Sequence, residues 1–211
     1  MKFTGKVPKV WLTAVGGLLL GALIILTIRF FTYDAGYIHY HANFGVYING
    51  QQEEFKASDY YEEVTACKQH TEMTPEDRAH MHKEGHHDDN NAVAHVHDSA
   101  ATWGQFFENL GWVVGKDFIR TRDTLYQNSG QNTLHIMLNG QDLTGIGSVT
   151  NRVISNEDKL LLSYGDTSND ELDKQFKAIP TSARHHNQED DPASCSGPSK
   201  TTTSDRLKNL F

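Results

Sequence analysis

Cysteine is almost absent. The 211 residues hold two, Cys67 and Cys195. That excludes a disulfide-dense scaffold and a four-cysteine zinc site. A location outside the cytoplasm permits a bridge between the two. Cys195, however, lies in a stretch that reads as unfolded tail, so Cys67 reads instead as a buried thiol or a soft metal ligand.

Basic charge is short as well. Lys and Arg number 19 against 27 Asp and Glu, for a net charge of −8. Residues 1–31 hold Lys2, Lys6, Lys9 and Arg29 and no acid, so the acidity is concentrated beyond them. Such a domain repels nucleic acid and anionic lipid and favours cations. No Ser/His/Asp set, phosphate-binding loop or dinucleotide glycine fingerprint is apparent, and Gly145-Ile146-Gly147 is too short to carry one. Hydrophobic content is 37 %, low enough that part of the chain reads as unpacked.

What the chain does have begins with one long apolar run. Val10 to Ile28 carries no charge over 19 residues. At about 1.5 Å per residue it just crosses a hydrocarbon core of roughly 30 Å. Trp11 on one side, and Phe30, Phe31 and Tyr33 on the other, suit the two interfaces. Three lysines precede the run and one arginine follows it, which keeps the N-terminus in the cytoplasm. A cleaved signal peptide is the competing reading. Its core is shorter, and the small-residue cleavage ending is missing here. The expected layout is a cytoplasmic stretch 1–9, an anchor 10–31, an extracytoplasmic domain 32–179 and a disordered tail 180–211.

Within the domain, 39–48 (HYHANFGVYI) reads as a strand, with Asn49-Gly50 as its hairpin turn. Ser58 is a candidate helix cap, with Tyr60, Tyr61, Val64 and Cys67 on one face. Thr74-Pro75-Glu76-Asp77 reads as a short helix start leading into Ala79-His80-Met81-His82. Residues 83–91 read as a polar loop and 92–98 (AVAHVHD) as a strand. Trp103, Phe106, Phe107 and Leu110 repeat at helical spacing. Strands are expected at 118–126, at 133–138 before Asn139-Gly140, and at 159–164. Ser168 and Glu171 form a capping box for a last helix. The fold class is α+β: a transmembrane helix, then a mainly β domain with short helices.

Three His-x-His pairs stand out: His39/His41, His80/His82 and His95/His97. Alternate residues of a strand share a face, so each pair on a strand presents two imidazoles together. Imidazole is the commonest transition-metal ligand. Nine of the twelve histidines fall between His39 and His97, and the second and third pairs flank a loop. The six are therefore the candidate ligands of a transition metal, copper or zinc. Six exceed the four of a closed zinc site. Either two ions bind, or some imidazoles support the others. The repeated spacing favours a strand for His80/His82. A continuing helix would turn them apart and pair His82 with His86 instead. His86, His87 and Asp88 read as solvated loop residues, His135 and Met137 as core neighbours, and His185 and His186 as incidental tail residues.

The block His80-Met-His82, Ala94-His95-Val-His97-Asp98 and Trp103-Gly-Gln-Phe-Phe-Glu-Asn-Leu-Gly-Trp112 resembles a family of prokaryotic membrane-anchored, His-rich ectodomain proteins. The resemblance spans roughly 10–166 and is most specific around 80–112. It departs in the longer loop holding His86 and His87 and in the upstream position of Cys67. It implies an anchored architecture and metal sites, and no particular activity. The strand, Asn-Gly turn and strand at 134–165 are similar to half of a β-grasp sheet. Three functions stay open: an extracytoplasmic metal-binding module, a metal-dependent enzyme of oxygenase or hydrolase type, or an interaction ectodomain with pH-responsive histidines. The expected partners are a membrane, through the anchor, and a metal ion, with no nucleic acid and no assigned protein.

Overall fold

The computed structural model describes residues 9–36, 38–56, 60–62, 74–82, 92–145, 149–188 and 201–210. The expectations for Cys67, Cys195, His86, His87 and the Ser58 cap lie outside them. The chain divides into two compact units, Met1–Tyr37 with Lys200–Phe211, and Ile38–Ser199.

The smaller unit is built on helix α1 (Lys9–Thr32). Its segment Thr13–Thr32 has a mean hydropathy of 2.2 and is long and apolar enough to cross a membrane. Leu18, Leu23, Ile25 and Phe31 are all more than half exposed.

The larger unit is mainly β. Its strands are β1 (Tyr40–Ile48), β2 (Gln51–Gln52), β3 (Tyr61–Glu62), β4 (Ala79–His82), β5 (Val93–Val96), β6 (Val113–Val114), β7 (Phe118–Arg120), β8 (Leu125–Gln127), β9 (Thr133–Leu138), β10 (Gln141–Asp142) and β11 (Lys159–Gly165). Its helices are α2 (Pro75–Arg78), α3 (Trp103–Asn109), α4 (Asn169–Ala178) and α5 (Ala183–His186). The last helix of the chain, α6 (Thr203–Lys208), belongs to the smaller unit.

The large sheet runs β10-β9-β11-β1-β5-β4-β3, and β2 pairs with the far end of β1. Strands β1 and β11 are parallel at its centre; β9 is antiparallel to β11 and β5 to β1. Taken without the inserted β3–β5, the order β2-β1-β11-β9-β10 around a central parallel pair is that of a β-grasp sheet. The hairpin β1–β2 turns through Asn49 and Gly50, both at positive φ, as a type I′ turn requires.

Alternation along β1 decides what each face carries. Ala42, Phe44 and Val46 join Ala94, Val96, Met81, Leu160 and Leu162 in the main core. Helix α3 covers that face with Phe106 and Phe107, both packed on Phe44. Thr102 caps α3 reciprocally with Gln105. The odd-numbered residues of β1 and β5 face the other way, where Tyr47, Leu161, Leu172 and Ile179 form a smaller cluster under α4. The histidines lie on this second face.

The expected strand 118–126 is two strands. Thr121 breaks it: its Oγ1 accepts from the backbone N–H of Asp123 and Thr124, closing a tight turn between β7 and β8. The expected tail from residue 180 begins as folded chain. Ala183 and His186 are buried, and α5 packs on β1.

Candidate metal centre

The site is set by strand register. Opposite His41 on β1 is His95 on β5, and opposite His95 on its other side is His80 on β4. These three imidazoles form a row across three strands, which stand about 4.8 Å apart. Two residues along, His39 and His97 make a second row, their rings stacked with centroids 5.1 Å apart. A one-residue slip would exchange this whole set for the apolar side chains of the main core.

Helix α2 is what lets His80 join. Thr74 and Asp77 cap it reciprocally, and Ala79, extended at φ −155°, ends it after four residues. The chain is a strand by His80, so the expected pairing of a strand with β5 is what the structure has. His82 is in β4 with its backbone opposite Glu62, but its side chain lies outside the described part of the structure.

His41, His80, His95 and His97 are buried, and His39 is half-buried. One nitrogen each from His39, His41 and His95 lie within 4.8 Å of one another, and this trio can hold a metal ion. His41 Nε2 is 3.1 Å from His95 Nδ1. Two nitrogens sharing a tetrahedral zinc at 2.0–2.1 Å stand about 3.3 Å apart, so little movement is needed. His80 adds its ring at 6.3 Å from His95 and 5.1 Å from His97.

Oxygen atoms orient two of these rings. Asn187 Oδ1 accepts from both the backbone N–H and the ring Nδ1–H of His41, each at 2.8 Å. The carbonyl oxygen of Glu76 accepts from His80 Nδ1–H at 2.9 Å. Either bond fixes the tautomer with its lone pair on Nε2, the arrangement of a ligating histidine. Burial pushes the His41 imidazole down to about 3, against the opposing pull of Asn187; the charges of His39 and His186 push it further down. His41 is therefore neutral at physiological pH, which is the form that binds metal.

Sequence reasoning missed Asn187 and His186. Both belong to the segment that reads as tail. His186 is buried, with its ring 5.4 Å from that of His41 and 6.5 Å from that of His95. Asn43 holds this segment in place. Its Nδ2 donates to Ser182 Oγ at 3.1 Å, and its Oδ1 accepts from the backbone N–H of Ala183 at 2.9 Å. Nothing in the composition of 180–190 signals this. Ser182, the N-cap, makes no side-chain capping bond.

His135 and Met137 are half-buried on β9, and Met137 packs against the smaller core cluster. Strand β11 separates β9 from β1, so the pair lies away from the histidine rows. Asp98, the acid next to His97, pairs with Arg78 at 3.4 Å and accepts from the backbone N–H of Ala100. The chain matches no protein-family model, no curated protein and no solved structure.

Proposed function

We propose that this is a membrane-anchored protein whose β domain, outside the cytoplasm, binds copper or zinc through the imidazoles of its His-x-His segments. The observation that carries the reading is the trio His39, His41 and His95, the last two buried, with nitrogens within 4.8 Å of one another. An all-imidazole donor set suits copper, zinc, iron and nickel, and affinity order favours copper. Calcium and magnesium seek oxygen. Burial favours a metal centre over a pH-responsive surface, because a group held at about 3 does not titrate near neutral pH.

The apolar helix α1 supports the anchor, and Lys2, Lys6 and Lys9 ahead of it support a cytoplasmic N-terminus.

The test is metal analysis of the full chain in detergent, purified without chelator or His tag and dialysed against micromolar Cu²⁺ or Zn²⁺. At least one ion per chain is expected, and its loss in His39→Gln/His41→Gln/His95→Gln. Less than one ion per chain, unchanged by those substitutions, overturns the reading.

A further inference from the structure

His80 is oriented as a ligand yet stands outside the trio. Its Nδ1 donates to the Glu76 carbonyl at 2.9 Å, so its lone pair is on Nε2. It is buried, and its ring lies 5.1 Å from that of the equally buried His97. It reaches the centre from β4, whereas His39 and His41 reach it from β1, across the width of β5. Anchored at Nδ1 on opposite flanks, His41 and His80 are placed to serve separate ions. From this we infer that the cluster holds two metal ions side by side: one on His39, His41 and His95, the other on the His80–His97 lobe.

This rests on the metal-binding reading above and adds the number and kind of ion. Every donor in the described cluster is an imidazole, which ligates in its neutral form, so the donors add no charge that would offset the ions. Repulsion scales with the product of the charges. Two monovalent ions therefore repel one quarter as strongly as two divalent ions at the same separation. Among the metals that imidazole suits, copper is the one with an accessible monovalent state. The pair of ions that fits this site is two Cu⁺.

The experiment is an anaerobic titration of the full chain in detergent with Cu⁺, against a colorimetric Cu⁺ chelator. Two equivalents are expected in the native protein. His80→Gln/His97→Gln should take one, with the remaining step unchanged within about threefold. One equivalent in the native protein overturns the inference and leaves the proposed function standing. Two equivalents in the double variant also overturn it. No Cu⁺ and no Zn²⁺ bound overturns both. The native stoichiometry decides the matter even where the double variant fails to fold.

Discussion

Asn187 Oδ1 accepts two hydrogen bonds from one residue, the backbone N–H and the ring Nδ1–H of His41, both at 2.8 Å. Its own Nδ2 donates to Asn156 Oδ1 at 2.7 Å, which fixes the amide orientation. Asn187→Ala should lower metal affinity by about 10–100-fold, the usual effect of losing such a supporting partner. It should also cost about 1–3 kcal/mol of stability, because His41 is left with buried donors and no acceptor. A chelator-competition titration and a thermal melt measure the two. Unchanged affinity would show that His41 needs no orienting partner.

Acid should destabilise the metal-free domain. The His41 imidazole ionises near 6.5 in the unfolded chain and near 3 in the fold. Between those values the unfolded state binds the proton and the native state does not, so stability falls as pH falls. It is fully present above about 6.5 and progressively lost toward 3. Melting temperature recorded from pH 7 to pH 4 should drop steadily, and His41→Gln should flatten the slope. A native profile flat over that range contradicts the assignment.

Gly104 tests the packing behind the site. An alanine is worth up to about 1 kcal/mol over glycine in a helix interior, and Gly104, the second residue of α3, stands to gain at most that by propensity. Here the added Cβ would overlap the Thr150 side chain and sit 2.6 Å from the Thr150 carbonyl oxygen. Overpacking against backbone typically costs about 1–3 kcal/mol and wins. Gly104→Ala should therefore lower the denaturation midpoint although it improves the helix. A raised midpoint would mean that α3 moves freely off the 149–151 turn.

His135→Gln serves as the contrast to His95→Gln. His135, on β9, pairs with Ser163 of β11, the strand that separates β9 from β1, whereas His95 joins both His41 and His80. Metal stoichiometry should fall in His95→Gln and stay native in His135→Gln. Equal losses in both would point to adventitious surface binding.

Local periodicity made much of this fold legible. The alternation of 39–48 and the helical spacing of Trp103, Phe106, Phe107 and Leu110 are local, and both stand as β1 and α3. Thr74-Pro75 was legible as a start, and its early stop at Ala79 agrees with the repeated His-x-His spacing. The break at Thr121 was not legible, because a hydroxyl closes that turn without glycine or proline. The contribution of His186 and Asn187 was hidden for a different reason. Their neighbours are Ser, Thr, Asn and charged residues, and what orders them is Asn43, far away in the chain.

That distance sets an order of events in time. The bond between Asn187 and His41 joins residues 146 apart. Strands β1, β4 and β5 are all synthesised well before α5 exists. A growing chain can therefore pair its strands and line up its imidazoles while one side of the cluster is still open to solvent. The last described segment of this unit to be made is the one that packs beside His41 and orients its ring. Translation halted before residue 182 would yield a sheet with its histidines in register and His41 without its oxygen partner.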